Sequence, residues 1–297
     1  MHETREGIII KGIGSFYYVK DDDSGQILCC RMRGSVRLRD TTPSVGDRVF
    51  YMCGNEEEGN VVTVIKEREN YLQRPPVANA TQAMIVFSAK RPDIDTLLLD
   101  KLIIDNDIKG LKSIVIINKT DIADEKDLQD IRNTYKDSGS EMLFMSAKDP
   151  CDPAYGIILN ALKGHITVVR GVSGAGKTTI IRTLIPDYMS ETGEVSRKTG
   201  RGRQTTRQSE LLSIDNDTYI VDTPGFSSFS LMDADYYDLW RYYKDFYEHS
   251  DCRFPDCMHL NEPDCEVKKA VDKNEISHIR YDNYKKILEE IKNKNKY

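Results

Sequence analysis

Gly171-Val-Ser-Gly-Ala-Gly-Lys-Thr-Thr179 fits the pattern G-x-x-x-x-G-K-[ST], with the apolar run Ile166-Thr-Val-Val169 before it and apolar residues from Ile180 after it. Read as strand, loop and helix, this is a phosphate-binding loop. Glycines let backbone N–H groups converge on phosphate oxygens without a Cβ in the way, and the helix N-terminus adds a favourable dipole. Lys177 supplies a flexible point charge to the β- and γ-phosphates, and the Thr178 hydroxyl is the expected Mg²⁺ ligand. The whole loop, from Gly171, Val172, Ser173, Gly174, Ala175 and Gly176 to Lys177, Thr178 and Thr179, is therefore expected to contact a nucleoside triphosphate. A fortuitous glycine turn is disfavoured by the strand before it and the helix after it.

The base is read from residues upstream. Ser113-Ile-Val-Ile-Ile117 reads as a buried strand that delivers Asn118-Lys119-Thr120-Asp121. A carboxylate only accepts hydrogen bonds, so Asp121 suits the ring N–H and exocyclic amine of guanine, a donor pair that adenine lacks. Lys119 can lay its stem across the base, and Asn118 can brace the loop. Leu143-Phe-Met145 reads as another short strand, ending in Ser146-Ala147-Lys148, whose backbone N–H groups can reach guanine O6. Either motif alone also suits an ordinary polar turn; two at strand ends beside a phosphate loop point to GTP.

Tyr219-Ile-Val-Asp222-Thr-Pro-Gly225 supplies the third element. Its strand carries Asp222 to where a carboxylate holds Mg²⁺, directly or through water, and the Gly225 N–H can meet the γ-phosphate. Between the two lies Arg197-Lys-Thr-Gly-Arg-Gly-Arg-Gln-Thr-Thr-Arg207, rich in Gly, Thr and Arg and without apolar periodicity. It reads as a switch segment in which Thr205 or Thr206 completes the Mg²⁺ shell. A solvated basic loop is the plainer reading, and the two are compatible.

The order of the parts is unusual. In ordinary GTPases the phosphate loop comes first and N-K-x-D late; here Asn118–Asp121 and Ser146–Lys148 precede Gly171–Thr179, which precedes Thr205 and Asp222–Gly225. Circular permutation explains this, since domain termini commonly lie close together at the surface. The chain resembles the circularly permuted GTPases, specifically the ribosome small-subunit-dependent GTPase A family, over nearly all of its length. The resemblance implies an α/β P-loop GTPase domain, circularly permuted with a mostly parallel sheet. It also implies an N-terminal OB-fold β-barrel and a C-terminal helical zinc-binding module.

The residues outside the motifs agree with three modules: 1–70, 71–230 and 231–297. Five short apolar or alternating runs before Glu69, separated by turn signals, suggest a small closed barrel of the oligonucleotide-binding type. Arg33, Arg37 and Arg39 fall in an alternating stretch and are candidates for RNA phosphate contacts. A solvated strand face is the competing reading, and the resemblance favours RNA. Pro75-Pro76 reads as the linker into the GTPase domain. The aromatic stretch Tyr236–Tyr247 has helical spacing and reads as core, and Lys268–Tyr297 as a helix. Cys252, Cys257, His259 and Cys265 are spaced C-x4-C-x-H-x5-C, which suits a closed tetrahedral Zn²⁺ site of structural type. The family has the same spacing.

Composition excludes more than it adds. The 297 residues carry 42 Lys and Arg against 48 Asp and Glu, a net charge of −6, so contact with nucleic acid requires local basic patches. No apolar run approaches the ~18 residues a membrane helix needs. The polar opening Met1–Gly7 is not read as a signal peptide, and seven cysteines without one read as thiols or metal ligands. A cytoplasmic monomer with no membrane contact is expected.

The expected reaction is hydrolysis of GTP to GDP and phosphate by in-line attack of water, with Mg²⁺ and Lys177 absorbing charge. The resemblance implies a role in late assembly of the small ribosomal subunit, contact with rRNA, and stimulation by that subunit. Slow turnover alone also follows from Phe226, which occupies the place where many GTPases keep a water-orienting glutamine. Family members often carry histidine where this chain has Gln204, so Gln204, with Lys177 and Thr205, is a catalytic candidate. Two other readings stand beside this one. One is a GTP-regulated RNA-binding module with negligible catalysis; the other is a P-loop kinase, against which Asn118–Asp121 argues.

Overall fold

The computed structural model describes residues 4–34, 42–54, 59–73, 75–186, 210–221, 229, 231 and 234–294. Arg37, Arg39, Gln204, Thr205, Thr206, Asp222, Gly225 and Phe226 lie outside the described residues. By its contacts the chain divides into two units: Met1–Gln82 with Tyr155–Val169 and Thr178–Thr223, and Ala83–Ala154 with Arg170–Lys177 and Pro224–Tyr297.

In the first unit, β1 (Thr4–Ile13), β2 (Phe16–Asp21), β3 (Ile27–Met32), β4 (Arg48–Met52) and β5 (Asn60–Ile65) close a barrel in the order β1-β2-β3-β5-β4. The β3–β5 pair is parallel and the described registers of the other pairs are antiparallel. Alternating side chains turn Ile9, Val19, Cys30, Val49, Tyr51 and Val62 into a dry centre. Closure leaves no strand edge to template aggregation. Pro75 and Pro76 sit at a hairpin between β6 (Tyr71–Gln73) and β7 (Pro76–Ala78), not in an open linker. That hairpin is tied to the barrel by Ala78 N–H on the Val45 carbonyl at 2.9 Å. The same unit holds most of α3 (Ala154–Leu162), β11 (Ile166–Arg170) and α4 (Lys177–Leu184), with β12 (Leu211–Ser213) and β13 (Tyr219–Val221). β11 pairs in parallel with β13, and β12 joins β13 antiparallel.

The second unit is built on β8 (Gln82–Ser88), β9 (Lys112–Asn118) and β10 (Glu141–Phe144), consecutive in the order β10-β9-β8. β9 and β10 are parallel. The near-continuous buried runs of β8 and β9 mark strands covered on both faces. Helix α1 (Thr96–Ile108) begins where the Asp95 carboxylate accepts the Leu98 N–H at 3.0 Å. Leu98, Leu99, Leu102 and Ile103 of α1 pack with Ile85, Phe87, Val115 and Ile117, joined by Leu128 and Ile131 of α2 (Glu125–Tyr135).

The C-terminal segment differs from its sequence reading. The aromatic stretch forms a 3₁₀ turn, Leu239–Tyr242, and one short helix, α5 (Lys244–Tyr247), with His249 just beyond it. Lys268–Tyr297 is not one helix: α6 (Glu266–Asp272) and α7 (His278–Lys294) are broken apart at Asn274, whose φ of 61° is left-handed. Leu239, Tyr243, Phe246, Tyr284, Ile287 and Leu288 form the module's core, which takes in Ile104 of α1.

A buried ion network fastens this core to α1. Arg280 of α7 donates to Asp245 at 2.7 and 2.9 Å and to Asp100 at 2.6 Å, and Asn283 donates to the other Asp100 oxygen at 2.8 Å. The Tyr243 ring lies 4.7 Å from the guanidinium. Burial pushes the Asp100 carboxyl up to about 6 against the pull of Arg280. Removing the shared cation strands two carboxylates in the interior. Arg280→Met should therefore cost about 3–5 kcal/mol, read as a lowered denaturation midpoint; an unchanged midpoint would contradict this account.

Candidate functional site

The phosphate loop leaves β11 at Gly171, where φ is 133° and a Cβ would fall 2.1 Å from the Val86 carbonyl oxygen. At Gly176, with φ at 98°, a Cβ would fall 2.1 Å from Asn118 Nδ2. Both glycines are thus required by close approach as well as by backbone angle. Lys177 is buried at the first position of α4, and its ammonium donates to the Gly171 carbonyl at 3.0 Å and the Val172 carbonyl at 2.7 Å. The charge is held inside the loop it is meant to serve, within reach of an anion bound there. Ser173, Gly174, Thr178 and Thr179 are exposed. Behind the loop, Arg170 is fixed by Asp105 at 2.7 Å, with Asn106 as a second acceptor, and its guanidinium lies 5.3 Å from the Phe229 ring.

Strand β9 delivers Asn118 to the same loop. This buried amide donates from Nδ2 to the Ala175 carbonyl at 2.8 Å and accepts at Oδ1 from the Ala147 N–H at 2.8 Å. Lys119 follows with a left-handed φ of 63°, its ammonium on the Arg91 carbonyl, and a 3₁₀ turn spans Thr120–Ile122. Asp121 accepts from Ser146 Oγ and Lys148 Nζ, each at 2.9 Å. The Lys148 ammonium is the main cause that holds this carboxyl below the usual carboxylate range, so Asp121 is an acceptor at neutral pH. Asn118, Asp121, Ser146, Ala147 and Lys148 are therefore brought together with the phosphate loop. Three participants carry no motif: Arg91, Arg170 and Asp152, whose carboxylate accepts the Ser146 N–H at 2.9 Å. Asp152-Pro153-Ala154 before an apolar run was a helix-start signal that could have exposed the last of these.

A second cluster lies in the C-terminal module. One ligand atom from each of Cys252, Cys257, His259 and Cys265 lies within 4.8 Å of the others. Cys252 Sγ is 3.9 Å from Cys265 Sγ, and His259 Nδ1 lies 3.6 and 3.4 Å from these two sulfurs. Tetrahedral zinc, with bonds of about 2.3 Å to sulfur and about 2.0 Å to nitrogen, requires separations of about 3.8 Å and about 3.5 Å. The donor set fits. Burial pushes the Cys257 thiol up to about 12 and lowers the His259 ring, so thiolates at neutral pH need a cation among them. His259 Nε2 is buried with no hydrogen-bond partner among the described residues, and the Trp240 ring stands edge-on at 5.2 Å. Tyr281 donates to the His259 carbonyl and Tyr284 to the Met258 carbonyl, each at 2.8 Å, which fixes the ligand loop to α7. His249 is outside the cluster.

On the barrel, exposed Arg33 lines a cavity of about 240 Å³ with Met52, Cys53, Val61 and Thr63. Among the described residues no helix is long and apolar enough to cross a membrane.

Comparison with known proteins places this arrangement. The family model for the RsgA GTPase matches residues 65–232, and that for the RsgA N-terminal domain matches residues 6–61. The small ribosomal subunit biogenesis GTPase RsgA of Clostridium novyi is 42% identical over 287 residues, covering 96% of this chain and 97% of the relative. That of Shouchella clausii is 41% identical over 290 residues, covering 96% and 97%. The crystal structure of YjeQ from Thermotoga maritima superposes with a TM-score of 0.81 at 32% identity, covering 97% of this chain and 98% of that one. The crystal structure of YloQ, a circularly permuted GTPase, gives 0.80 at 35% identity, covering 99% and 96%. With both family models matched and the permuted order of motifs shared, the chain belongs to the RsgA family of circularly permuted GTPases.

Proposed function

We propose that this chain hydrolyses GTP to GDP and phosphate as a maturation factor of the small ribosomal subunit, the role carried in its relatives' name. The observation that carries the chemistry is Asn118, which joins the guanine-reading loops to the phosphate loop, with an anionic Asp121 beside it. The GTP contacts assigned are Asn118–Asp121, Ser146–Lys148, Gly171–Thr179, Asp222 and Gly225. Thr178 would hold Mg²⁺, together with Asp222 and Thr205. When bound, Mg²⁺ neutralises charge developing on the phosphate oxygens. Lys177 orients and stabilises the same oxygens from inside the loop, and Gln204 orients the attacking water. Arg33, Arg37 and Arg39 are assigned the RNA contacts, and the modules divide at 1–70, 71–230 and 231–297. The protein is taken to act in the cytoplasm as a monomer.

Two experiments test this reading. Purified small subunits should raise GTP turnover on the order of 10²-fold or more, the scale on which one missing catalytic group acts. Negligible turnover with subunits present would favour a GTP-regulated RNA-binding module instead. The cluster Cys252, Cys257, His259 and Cys265 is assigned one structural Zn²⁺. Protein purified without chelator should carry about one zinc per chain, and Cys257→Ser should lower the thermal midpoint, because structural zinc contributes folding energy. Metal-free protein with the parental midpoint would refute the assignment.

A further inference from the structure

Three side chains fix the loop Ser146-Ala147-Lys148. Asp121 accepts the Ser146 hydroxyl, Asn118 accepts the Ala147 N–H, and Asp152 Oδ2 accepts the Ser146 N–H at 2.9 Å. The first two belong to N-K-x-D; Asp152 belongs to neither motif. Its second oxygen accepts the Ala154 N–H at 2.9 Å, at the start of α3, and its own N–H donates to the Asp149 carbonyl at 3.1 Å. One half-buried carboxylate thus clamps the recognition loop onto the beginning of a helix.

The hydrogen-bond inventory of the loop gives this clamp a specific consequence. The Ser146 and Ala147 amides are both taken by protein acceptors, and the Lys148 amide has no acceptor among the described residues. It is the donor left for guanine O6. Hydrogen bonds weaken steeply as the donor angle closes, so the direction of that N–H decides whether O6 is read. Its direction follows from the two peptide planes before it, the first pinned by Asp152 and the second by Asn118. We infer that Asp152 is a positioning residue for guanine recognition: it sets the loop that reads O6, while Asp121 reads the ring N–H and the exocyclic amine. The inference rests on the GTP reading above and adds a second carboxylate that governs a separate edge of the base.

The test is a set of affinities for GTP, ITP and 6-thio-GTP, measured by competition on the full chain. ITP lacks the exocyclic amine and reports Asp121; 6-thio-GTP replaces O6 with sulfur, a weaker acceptor, and reports the loop. The parent should prefer GTP over both. Asp152→Ala should weaken GTP binding about tenfold, the scale of one hydrogen bond to a charged group. It should bring the GTP to 6-thio-GTP ratio close to one and leave the GTP to ITP ratio as in the parent. Asp152→Asn keeps one carbonyl oxygen for two amides, so its ratio should fall between those of Asp152→Ala and the parent. Asp152→Ser keeps a helix cap for Ala154 but cannot also hold the Ser146 amide, so it should keep the parental thermal midpoint and still lose the ratio. If Asp152→Ser restores the ratio, Asp152 is only a cap and the inference is overturned. It is also overturned if Asp152→Ala keeps the parental ratio, or if the parent does not distinguish GTP from 6-thio-GTP. A parent that binds ATP as well as GTP would instead overturn the GTP reading itself.

Discussion

The side-chain amide of Asn118 faces two ways, and the site depends on it. Its nitrogen holds the carbonyl of Ala175, 57 residues later, and its oxygen holds the N–H of Ala147, 29 residues later. Because the amide is buried, loss of either partner leaves a polar atom desolvated and unpaired, at about 1–3 kcal/mol. The constraint reaches outward. Gly176 must lack a Cβ because Asn118 Nδ2 occupies that space, and β9 must end where its last side chain meets both loops. In this permuted order Asn118 comes before both of the loops it joins. The contacts gather at the carboxyl ends of strands, where ligands of open α/β sheets bind.

Helix α1 gives the second unit its other axis. Near its C-terminal end Asp105 and Asn106 hold Arg170, the residue immediately before the phosphate loop. Nearer its N-terminal end Asp100 shares Arg280 with Asp245 of the C-terminal module. All three ion pairs are almost wholly buried. Such pairs add little net stability over an apolar isostere but are costly to break. Cys252, Cys257, His259 and Cys265 draw together residues 252–265, which hold little regular structure until α6 begins.

The sequence showed the parts whose chemistry demands fixed spacing. The five barrel strands and the grouping of Cys252, Cys257, His259 and Cys265 were readable, because each is local or periodic. The parts that escaped depend on side chains far apart in the chain. Asp100 and Arg280 are 180 residues apart, and nothing in the apolar pattern of α1 marks Asp100 as buried. Asp152 belongs to no motif, and its partners are the backbone N–H groups of Ser146 and Ala154. The break at Asn274 escaped because asparagine in the left-handed region ends a helix without the glycine or proline that announces most stops. The aromatic segment broke into two short turns because Leu239, Tyr243 and Phe246 are held by their tertiary neighbours, not by helix propensity.

Hydrogen exchange on the nucleotide-free chain tests most directly whether one amide joins base recognition to phosphate binding. In Asn118→Ala, backbone amides in both Ser146–Lys148 and Gly174–Lys177 should exchange faster than in the parent, since each loop loses its only link through this side chain. Peptides from the barrel should be unaffected. Faster exchange in both loops together is the result the account predicts. Acceleration in one loop with parental exchange in the other would show that the two are held independently, and would contradict it.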